Sequence, residues 1–262
     1  MSIFNQDFTL VEEFFDDKFW VDTFEKLCTS EVLAGDAFAF EDLVSACREL
    51  FQQGGAALGA REATHRNEDN LRLGLRRTVQ ELCGYGALLP GFILKCPRCS
   101  SIAWYPLKGA AEQVECSGCQ RNFAFPAEQP FAYRLNSVVK NNMFQSRRTR
   151  DGNLTVIRTL ALLHARARQS FGYSPQVNLY DSFHSGRPCS ELDIAAQVDG
   201  QLIIGEAKHS SAAFFTDNSK SLRSLVEVAK QIYPDQVILA CYEDQYGKMA
   251  RAEQALIHLF NR

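Results

Sequence analysis

The first third of the chain alternates apolar and polar residues with the period of an amphipathic helix. Residues 11–28, 40–51 and 71–82 each repeat apolar side chains at helical spacing, and residues 40–51 match the i, i+3, i+4 and i+7 pattern throughout. Gly84 and Gly86 follow the third stretch, and glycine commonly ends a helix. The pattern therefore predicts a helical module that occupies residues 1–90.

Arginines occupy one side of the third predicted helix, at Arg72, Arg76 and Arg77. A basic helix that is followed by a strand, here at 91–94, resembles the recognition helix of a winged-helix domain. Small helical packing domains have the same sequence pattern. Both interpretations of the N-terminal module therefore stay open.

The second half of the chain mixes the two periods. Alternating apolar residues predict strands, and the 3.6-residue period predicts helices around them. The predicted order α-β-β-β-α-β-α indicates an α/β fold with a mixed sheet flanked by helices. The predicted elements are a helix at 154–170, strands at 177–180, 190–198 and 201–208, a helix at 219–233, a strand at 236–242 and a helix at 248–260.

Two Cys-x-x-Cys motifs lie sixteen residues apart in the middle of the chain. Four thiolates form a closed tetrahedral zinc site, and the two-residue spacing lets one tight turn present each pair. A closed site has no open coordination position, so the expected zinc is structural. A reduced redox pair is the alternative. The zinc ribbon predicted at 91–130 contains Cys96, Cys99, Cys116 and Cys119.

The dipeptide Asp-Gly at 199–200 separates two alternating apolar runs, which is the signal for a two-residue type I′ hairpin turn. Such a turn makes the numbers of directly opposed residues add up to 399. Asp193 then lies opposite Glu206, and Glu191 lies opposite Lys208. These four side chains are expected on one face of the sheet. The other face is expected to hold Leu192, Ile194, Ile203 and Gly205.

Two carboxylates in opposed positions have Cβ atoms roughly 5 Å apart and destabilise a hairpin unless a positive charge lies between them. A divalent cation that prefers oxygen ligands is one candidate for this charge, and the ammonium of Lys208 is the other. A solvated lattice of ion pairs explains Glu191 beside Lys208, but it leaves Asp193 opposite Glu206 unexplained. The pattern therefore favours a functional site.

This arrangement resembles the D…(D/E)xK motif of the restriction-endonuclease-like nuclease superfamily, with Asp193, a twelve-residue gap and then Glu206-Ala207-Lys208. The predicted α-β-β-β-α-β order resembles the core of that superfamily. The resemblance implies that Asp193, Glu206 and the backbone carbonyl of Ala207 bind Mg²⁺ or Mn²⁺. It also implies that Lys208 positions or polarises the attacking water.

The chain departs from the family pattern in two places. No proline directly precedes Asp193, and the predicted helix at 154–170 carries no carboxylate. Glu191-Leu192-Asp193 resembles the E-x-D variant of the motif, which makes Glu191 a further candidate metal ligand. The resemblance implies a DNA-cleaving domain at 131–262 with a role in microbial genome or anti-phage defence. A non-catalytic nucleic-acid-binding or partner-recruiting subunit is the alternative.

The net charge of −3 conceals an uneven distribution. Residues 1–50 hold 12 acidic and 3 basic side chains, whereas residues 51–190 hold 9 acidic and 18 basic ones. A basic middle segment favours binding of nucleic acid, with DNA expected before RNA, although a solvated charged face has the same composition. The expected phosphate-binding residues are Arg147, Arg148, Arg150, Arg158 and Arg166.

The composition, 46% hydrophobic and 23% charged, is that of a globular protein. No apolar run approaches the ~20 residues that cross a bilayer, and the first residues do not resemble a secretory signal. Nine cysteines, an odd number, favour reduced thiols. We therefore expect a cytoplasmic protein without membrane contact, either a homodimer or a subunit of a larger complex.

Overall fold

The computed structural model describes residues 8, 14–15, 17–29, 37–53, 68–108, 112–126, 128–141, 153–181 and 186–262. The chain divides into two compact units, Met1–Gln145 and Ser146–Arg262. Helices and several sheets occur together, which confirms a mixed α/β protein. In the described part of the chain no helix is both long and apolar enough to cross a membrane.

In its described residues, the first unit contains a helix in each of the three predicted stretches and six strands, and residues 11–13 of the first prediction lie outside the described residues. Leu71, Leu75, Val79 and Leu82 are buried along one side of the third helix, which confirms its predicted apolar stripe. The carboxylate of Asp17 accepts a hydrogen bond from the N–H of Phe19 and so caps the start of the first helix. The elements are α1 (Lys18–Thr29), β1 (Ala37–Ala39), α2 (Phe40–Gln52), α3 (Glu68–Gly84), β2 (Leu88–Lys95), β3 (Ile102–Pro106), β4 (Gln113–Glu115), β5 (Asn122–Ala124), β6 (Ala132–Leu135) and one helical turn at Ser137–Val139.

Strand β2 joins the helical part of this unit to the cysteine motifs. The sheet has the order β1-β6-β2-β3, and β4 pairs separately with β5. Residues 88–91 of β2 pair with β6, and residues 91–95 pair with β3. The predicted limit at residue 90 therefore falls inside a strand. The predicted limit at residue 130 would place β6 in a different domain from its partner strands β1 and β2. The structure instead divides the chain after Gln145.

The second unit has the predicted order α-β-β-β-α-β-α, which the structure confirms. Its sheet has the order β10-β9-β8-β7, with β10 parallel to β9 and the other pairs antiparallel. The elements are α4 (Asn153–Arg166), β7 (Phe171–Leu179), β8 (Ser190–Val198), β9 (Gln201–Ser210), a 3₁₀ segment at Ser211–Asn218, α5 (Lys220–Ile232), β10 (Gln236–Glu243), a 3₁₀ turn at Gln245–Gly247 and α6 (Lys248–Phe260).

The turn between β8 and β9 has the predicted conformation. Asp199 and Gly200 have φ angles of 49° and 85°, so both central residues are left-handed, as a type I′ turn requires. The carboxylate of Asp199 also accepts the backbone N–H groups of Arg168, Gln169 and Ser170 at 2.7–2.9 Å. Asp199 therefore also anchors the connection between α4 and β7.

Strand β9 is one of the two inner strands of this sheet, and its residues 203–207 are buried one after another. A strand buried at consecutive positions is covered on both faces. Helix α4 packs on β8, β9 and β10. Helices α5 and α6 cover a cluster that includes Ile204 and Phe214.

Gly205 shows how closely β10 approaches β9. A Cβ atom on Gly205 would lie 2.7 Å from the backbone oxygen of Ile238, which leaves no room for a side chain. The absence of a side chain at Gly205 thus lets the central strands pack directly beside the candidate site.

Candidate functional site

Strands β8 and β9 separate at the position where the sequence predicts the site. Their register runs from Val198 opposite Gln201 to Ile194 opposite Gly205, which confirms the predicted pairing over this stretch. The described pairs end there, one position before Asp193 and Glu206. Beyond that point β8 pairs with β7, and β9 pairs with β10. We call this opening between β8 and β9 the fork.

Side-chain alternation breaks near the N-terminal end of β8. Ala195 lies opposite Ile204, so these two side chains share a face of the sheet. Leu192 would lie on the other face of an unbroken strand, yet it packs in the same cluster as Ile204. The prediction that Leu192 shares a face with Ile203 is therefore wrong. On the adjacent strand β7, Gln176 has a left-handed φ of 59°, which marks the distortion.

The structure brings Asp193, Glu206 and Lys208 together at the fork. The Nζ atom of Lys208 lies 2.5 Å from Oε1 of Glu206 and 3.4 Å from Oδ2 of Asp193. Oδ2 of Asp193 also accepts the backbone N–H of Ala207 at 2.9 Å. The aspartate carboxylate thus takes the place of a backbone partner where the β8–β9 pairs have ended.

Burial and charge act together on these groups. The side chain of Glu206 is only 9% exposed. Burial raises the pKa of Glu206, the charge of Asp193 raises it further, and Lys208 opposes both. Burial by itself lowers the pKa of Lys208, but the charges of Asp193 and Glu206 outweigh burial, so its pKa is raised. The lysine therefore keeps its positive charge between two carboxylates.

Glu191 does not join this group by direct contact. Its side chain is exposed, and its residue pairs with Asn178 of β7. Its neighbour Ser190 contacts the hydroxyl of Ser224 on α5 at 2.6 Å. Because adjacent side chains in a strand point to opposite faces, Glu191 points away from α5. Its negative charge adds a small upward contribution to the pKa of Glu206. Its role as a metal ligand stays a prediction.

The donor atoms at the fork fit a hard divalent cation. The two carboxylates at the fork are oxygen ligands of the kind that Mg²⁺ and Mn²⁺ prefer. Within the described ranges, however, the only group of three or more metal-ligating side chains is formed by four cysteines. At the fork, the ammonium of Lys208 provides the positive charge that the opposed carboxylates require.

The two Cys-x-x-Cys motifs form matching turns in the first unit. The N–H of Cys96 donates to the carbonyl of Ser101, and the N–H of Cys116 donates to the carbonyl of Arg121. The residues after the second cysteine of each motif, Ser100 and Gln120, have φ angles of 61° and 55°. This shared geometry turns the cysteine pairs of the two motifs toward each other.

The four sulfur atoms lie within 4.8 Å of one another. Two of the separations are 3.5 Å between Cys99 and Cys116 and 3.9 Å between Cys96 and Cys119. A tetrahedral zinc ion with Zn–S bonds of about 2.3 Å requires sulfur atoms about 3.8 Å apart. The four cysteines are therefore close enough to bind a structural metal such as zinc.

Backbone hydrogen bonds prepare one of these thiols for metal binding. The N–H groups of Cys119 and Gly118 point at the sulfur of Cys116 and lower its pKa to about 6. A thiol with this pKa is largely a thiolate at neutral pH, and the thiolate is the form that ligates a metal.

Gly118 also allows the two cysteine turns to approach. A Cβ atom at this position would lie 2.9 Å from the side chain of Ser101. The approach is therefore tight enough that a larger residue would force the neighbouring turn to shift.

Three of the five predicted phosphate-binding arginines lie outside the described residues, namely Arg147, Arg148 and Arg150. Arg158 lies on α4 with its guanidinium 5.2 Å from the ring centre of Tyr242 on β10. The ring of His209, the residue after Lys208, stacks on the same tyrosine. Arg158 therefore lies close to the fork, whereas Arg166 is exposed in the last turn of α4.

The arginines of α3 are engaged within the first unit to different degrees. Arg72 forms hydrogen bonds with the carboxylates of Glu41 and Glu68. The guanidinium of Arg76 lies 5.5 Å from the ring centre of Phe40. Arg77 is exposed. These contacts reduce the basic surface that α3 offers to a partner.

Sequence reasoning missed Thr155, whose hydroxyl donates to the backbone carbonyl of Lys208 at 3.0 Å. A threonine in an amphipathic helix carries no signal of a long-range contact. The pattern also gave no indication of the left-handed residue Gln176. Both features depend on elements that lie far apart in the sequence or on local strain.

No protein-family model matches this chain, and neither a curated protein nor a solved structure matches it. The family resemblance therefore rests on the residues themselves.

Proposed function

We propose that this protein is a metal-dependent nuclease that hydrolyses phosphodiester bonds in DNA. The observation that carries the proposal is the meeting of Asp193, Glu206 and Lys208 at the fork. Two carboxylates beside one lysine provide oxygen ligands for a divalent metal and a positive charge for a phosphate. The second unit, with its α-β-β-β-α-β order and mixed sheet, is proposed to have the restriction-endonuclease-like fold.

Asp193 and Glu206, with the backbone carbonyl of Ala207, would hold Mg²⁺ or Mn²⁺. When bound, the metal would neutralise phosphate charge and lower the pKa of a bound water. The chain itself contributes the charge of Lys208, which binds the phosphate and stabilises its growing negative charge.

The first unit is proposed to position the nucleic acid. Its order helix, strand, helix, helix, strand, with β6 between β1 and β2, supports the winged-helix interpretation. The first cysteine turn connects β2 to β3, the second connects β4 to β5, and together they would hold a structural zinc. A cytoplasmic location and a role in microbial defence complete the proposal, and both rest on the reduced cysteines and on the family resemblance alone.

A second candidate function is nucleic-acid binding without turnover, by a homodimer or by a subunit of a larger complex. One observation favours it. Lys208 already contacts both carboxylates and offsets part of their negative charge without a divalent metal. In this case metal would neither bind at the fork nor change the state of the nucleic acid.

A cleavage assay separates the two functions. Zinc-loaded protein is incubated with supercoiled plasmid, linear duplex, single-stranded DNA and RNA, with Mg²⁺, with Mn²⁺ or with neither. Omission of metal is preferable to EDTA, because a chelator would also strip the cysteine site. We expect cleavage of DNA with Mg²⁺ or Mn²⁺, and its loss in the Asp193→Asn, Glu206→Gln and Lys208→Met variants.

Glu191→Gln and Asp235→Asn serve as comparisons in the same assay. Asp235 is an exposed carboxylate that caps the N–H of Leu202 at the other end of β9. Binding without cleavage under every metal condition would support the second function. Cleavage at the parental rate by any of the three fork variants would contradict the proposed active site.

A further inference from the structure

Thr155 makes a hydrogen bond that connects α4 to the candidate site. Its side chain is 4% exposed, and its hydroxyl donates to the carbonyl of Lys208 at 3.0 Å. The two residues are 53 positions apart in the sequence. Buried hydroxyl groups are usually hydrogen-bonded, and the hydrogen-bond acceptor for this one is the backbone carbonyl of the lysine at the fork.

Other helical threonines in this chain use their hydroxyls differently. Thr23, Thr78 and Thr159 each donate to the carbonyl four residues earlier in the same helix, at 2.7–3.2 Å. Thr155 lies in the first described turn of α4, which begins at Asn153. Its hydroxyl donates instead to the backbone of β9.

The contact falls where β9 has lost one neighbour. The pairs between β8 and β9 end at Gly205, whereas the pairing with β10 continues past Lys208. The hydrogen bond from Thr155 supports the backbone at the residue whose ammonium lies between Asp193 and Glu206. A lysine ammonium is attached to its backbone by a flexible chain of four carbons. The length of this chain is fixed, so a shift of the backbone changes the positions that the ammonium can reach.

We propose that Thr155 is a positioning residue for Lys208. It fixes the backbone of β9 beyond the fork, so that the lysine ammonium stays between the two carboxylates and faces the scissile phosphate. The catalytic consequence rests on the proposed nuclease function, whereas the effect on Lys208 itself does not. Displacing a group that supports a catalytic residue typically reduces activity about 10-fold to 100-fold.

The test uses full-length, zinc-loaded protein and two comparisons at position 155. Each compares a side chain that has a hydroxyl with one that lacks it. The parent is compared with Thr155→Val, and Thr155→Ser is compared with Thr155→Ala. Thr159→Val is the control, because it removes a hydroxyl that bonds only within α4. Thermal unfolding verifies that each variant is folded.

The first readout is the rate at which an acylating reagent labels Lys208, measured by mass spectrometry relative to Lys248. We expect faster labelling of Lys208 in Thr155→Val and Thr155→Ala, and parental rates in Thr155→Ser and Thr159→Val. Equal labelling of Lys208 in all folded variants would overturn the proposal. This readout decides the question even if the protein cleaves no nucleic acid.

The second readout is cleavage with Mg²⁺. We expect a kcat about 10-fold or more below that of the parent for the two variants without the hydroxyl, with KM unchanged and with rescue by serine. An equal loss in Thr159→Val, or no rescue by serine, would show that α4 acts only through stability and would contradict positioning. If the parent does not cleave, the nuclease proposal fails and the labelling result stands.

Discussion

The ammonium of Lys208 contacts two carboxylates, and Glu206 is the more deeply buried of them. Removing one member of such a group leaves charge that nearby protein atoms do not compensate. Because the side chain of Lys208 is 27% exposed, water compensates part of this loss. The effect on stability is therefore smaller than in a fully buried ion pair.

We expect Lys208→Met to destabilise the protein by about 1–3 kcal/mol at neutral pH without added divalent metal, since Glu206 and Asp193 then repel each other. The double variant Lys208→Met/Glu206→Gln should recover most of this loss, because the buried negative charge is gone. Urea unfolding of the parent, Lys208→Met, Glu206→Gln and the double variant measures the coupling. Additive effects would show that the two side chains do not interact.

The same variant has a definite pH dependence. The pKa of Glu206 is raised in the folded protein, so its protonated form favours folding and stability falls as pH rises through the folded pKa. In Lys208→Met the opposing positive charge is absent and the pKa rises further. The stability difference from the parent should therefore be small near pH 4 and should grow toward pH 7. A difference that is constant across this range would contradict the assignment to Glu206.

At the scale of elements, the cysteine turns and the β8–β9 hairpin both follow from short local motifs. In each cysteine turn, one left-handed residue and one backbone hydrogen bond set the direction of the sulfur pair. The apolar side chains of Phe92, Leu94, Val114 and Phe123 form a small cluster beside the sulfurs. A core of this size is typical of modules that depend on a metal for stability.

We expect the purified protein to contain about one zinc ion per chain. Cys96→Ser or Cys116→Ser should abolish zinc retention and lower the unfolding temperature. Cys189→Ser is the matched control, because Cys189 is exposed and belongs to the second unit. Metal analysis of protein never exposed to chelator makes the measurement. Absence of zinc from folded protein would refute a zinc site.

At the scale of the whole molecule, basic residues accumulate in the middle of the sequence and acidic ones at its start. The described basic residues are not equally available. Arg72 is paired with two glutamates, whereas Arg166 is exposed at the end of α4. A polyanion is therefore expected to bind the second unit through arginines on and before α4.

The salt dependence of DNA binding measures these contacts. Each phosphate contact that is removed should reduce the log–log salt slope by about one. We expect Arg158→Ala and Arg166→Ala each to have this effect, and the triple alanine variant at 147, 148 and 150 to reduce the slope by about three. Arg262→Ala, at the exposed end of the chain, is the control. Slopes equal to that of the parent would indicate a merely solvated face.

Much of the fold was predictable because its signals are local. The spacing of Leu71, Leu75 and Val79 places all three on one face of a single helix, so no other element is needed to predict it. The Asp-Gly turn at 199–200 sets the hairpin register through its own backbone conformation. The cysteine turns are likewise complete within a few residues.

Local sequence patterns therefore predict the order of the elements, the β8–β9 register and the positions of Asp193, Glu206 and Lys208 along their strands. Packing between elements, in contrast, decided where β8 leaves β9, that Leu192 changes face, and that Thr155 holds the backbone of Lys208. It also decided that β6 lies between β1 and β2. These features involve residues far apart in the chain, and their contacts form only when separate elements pack together, so no local period or turn signal encodes them.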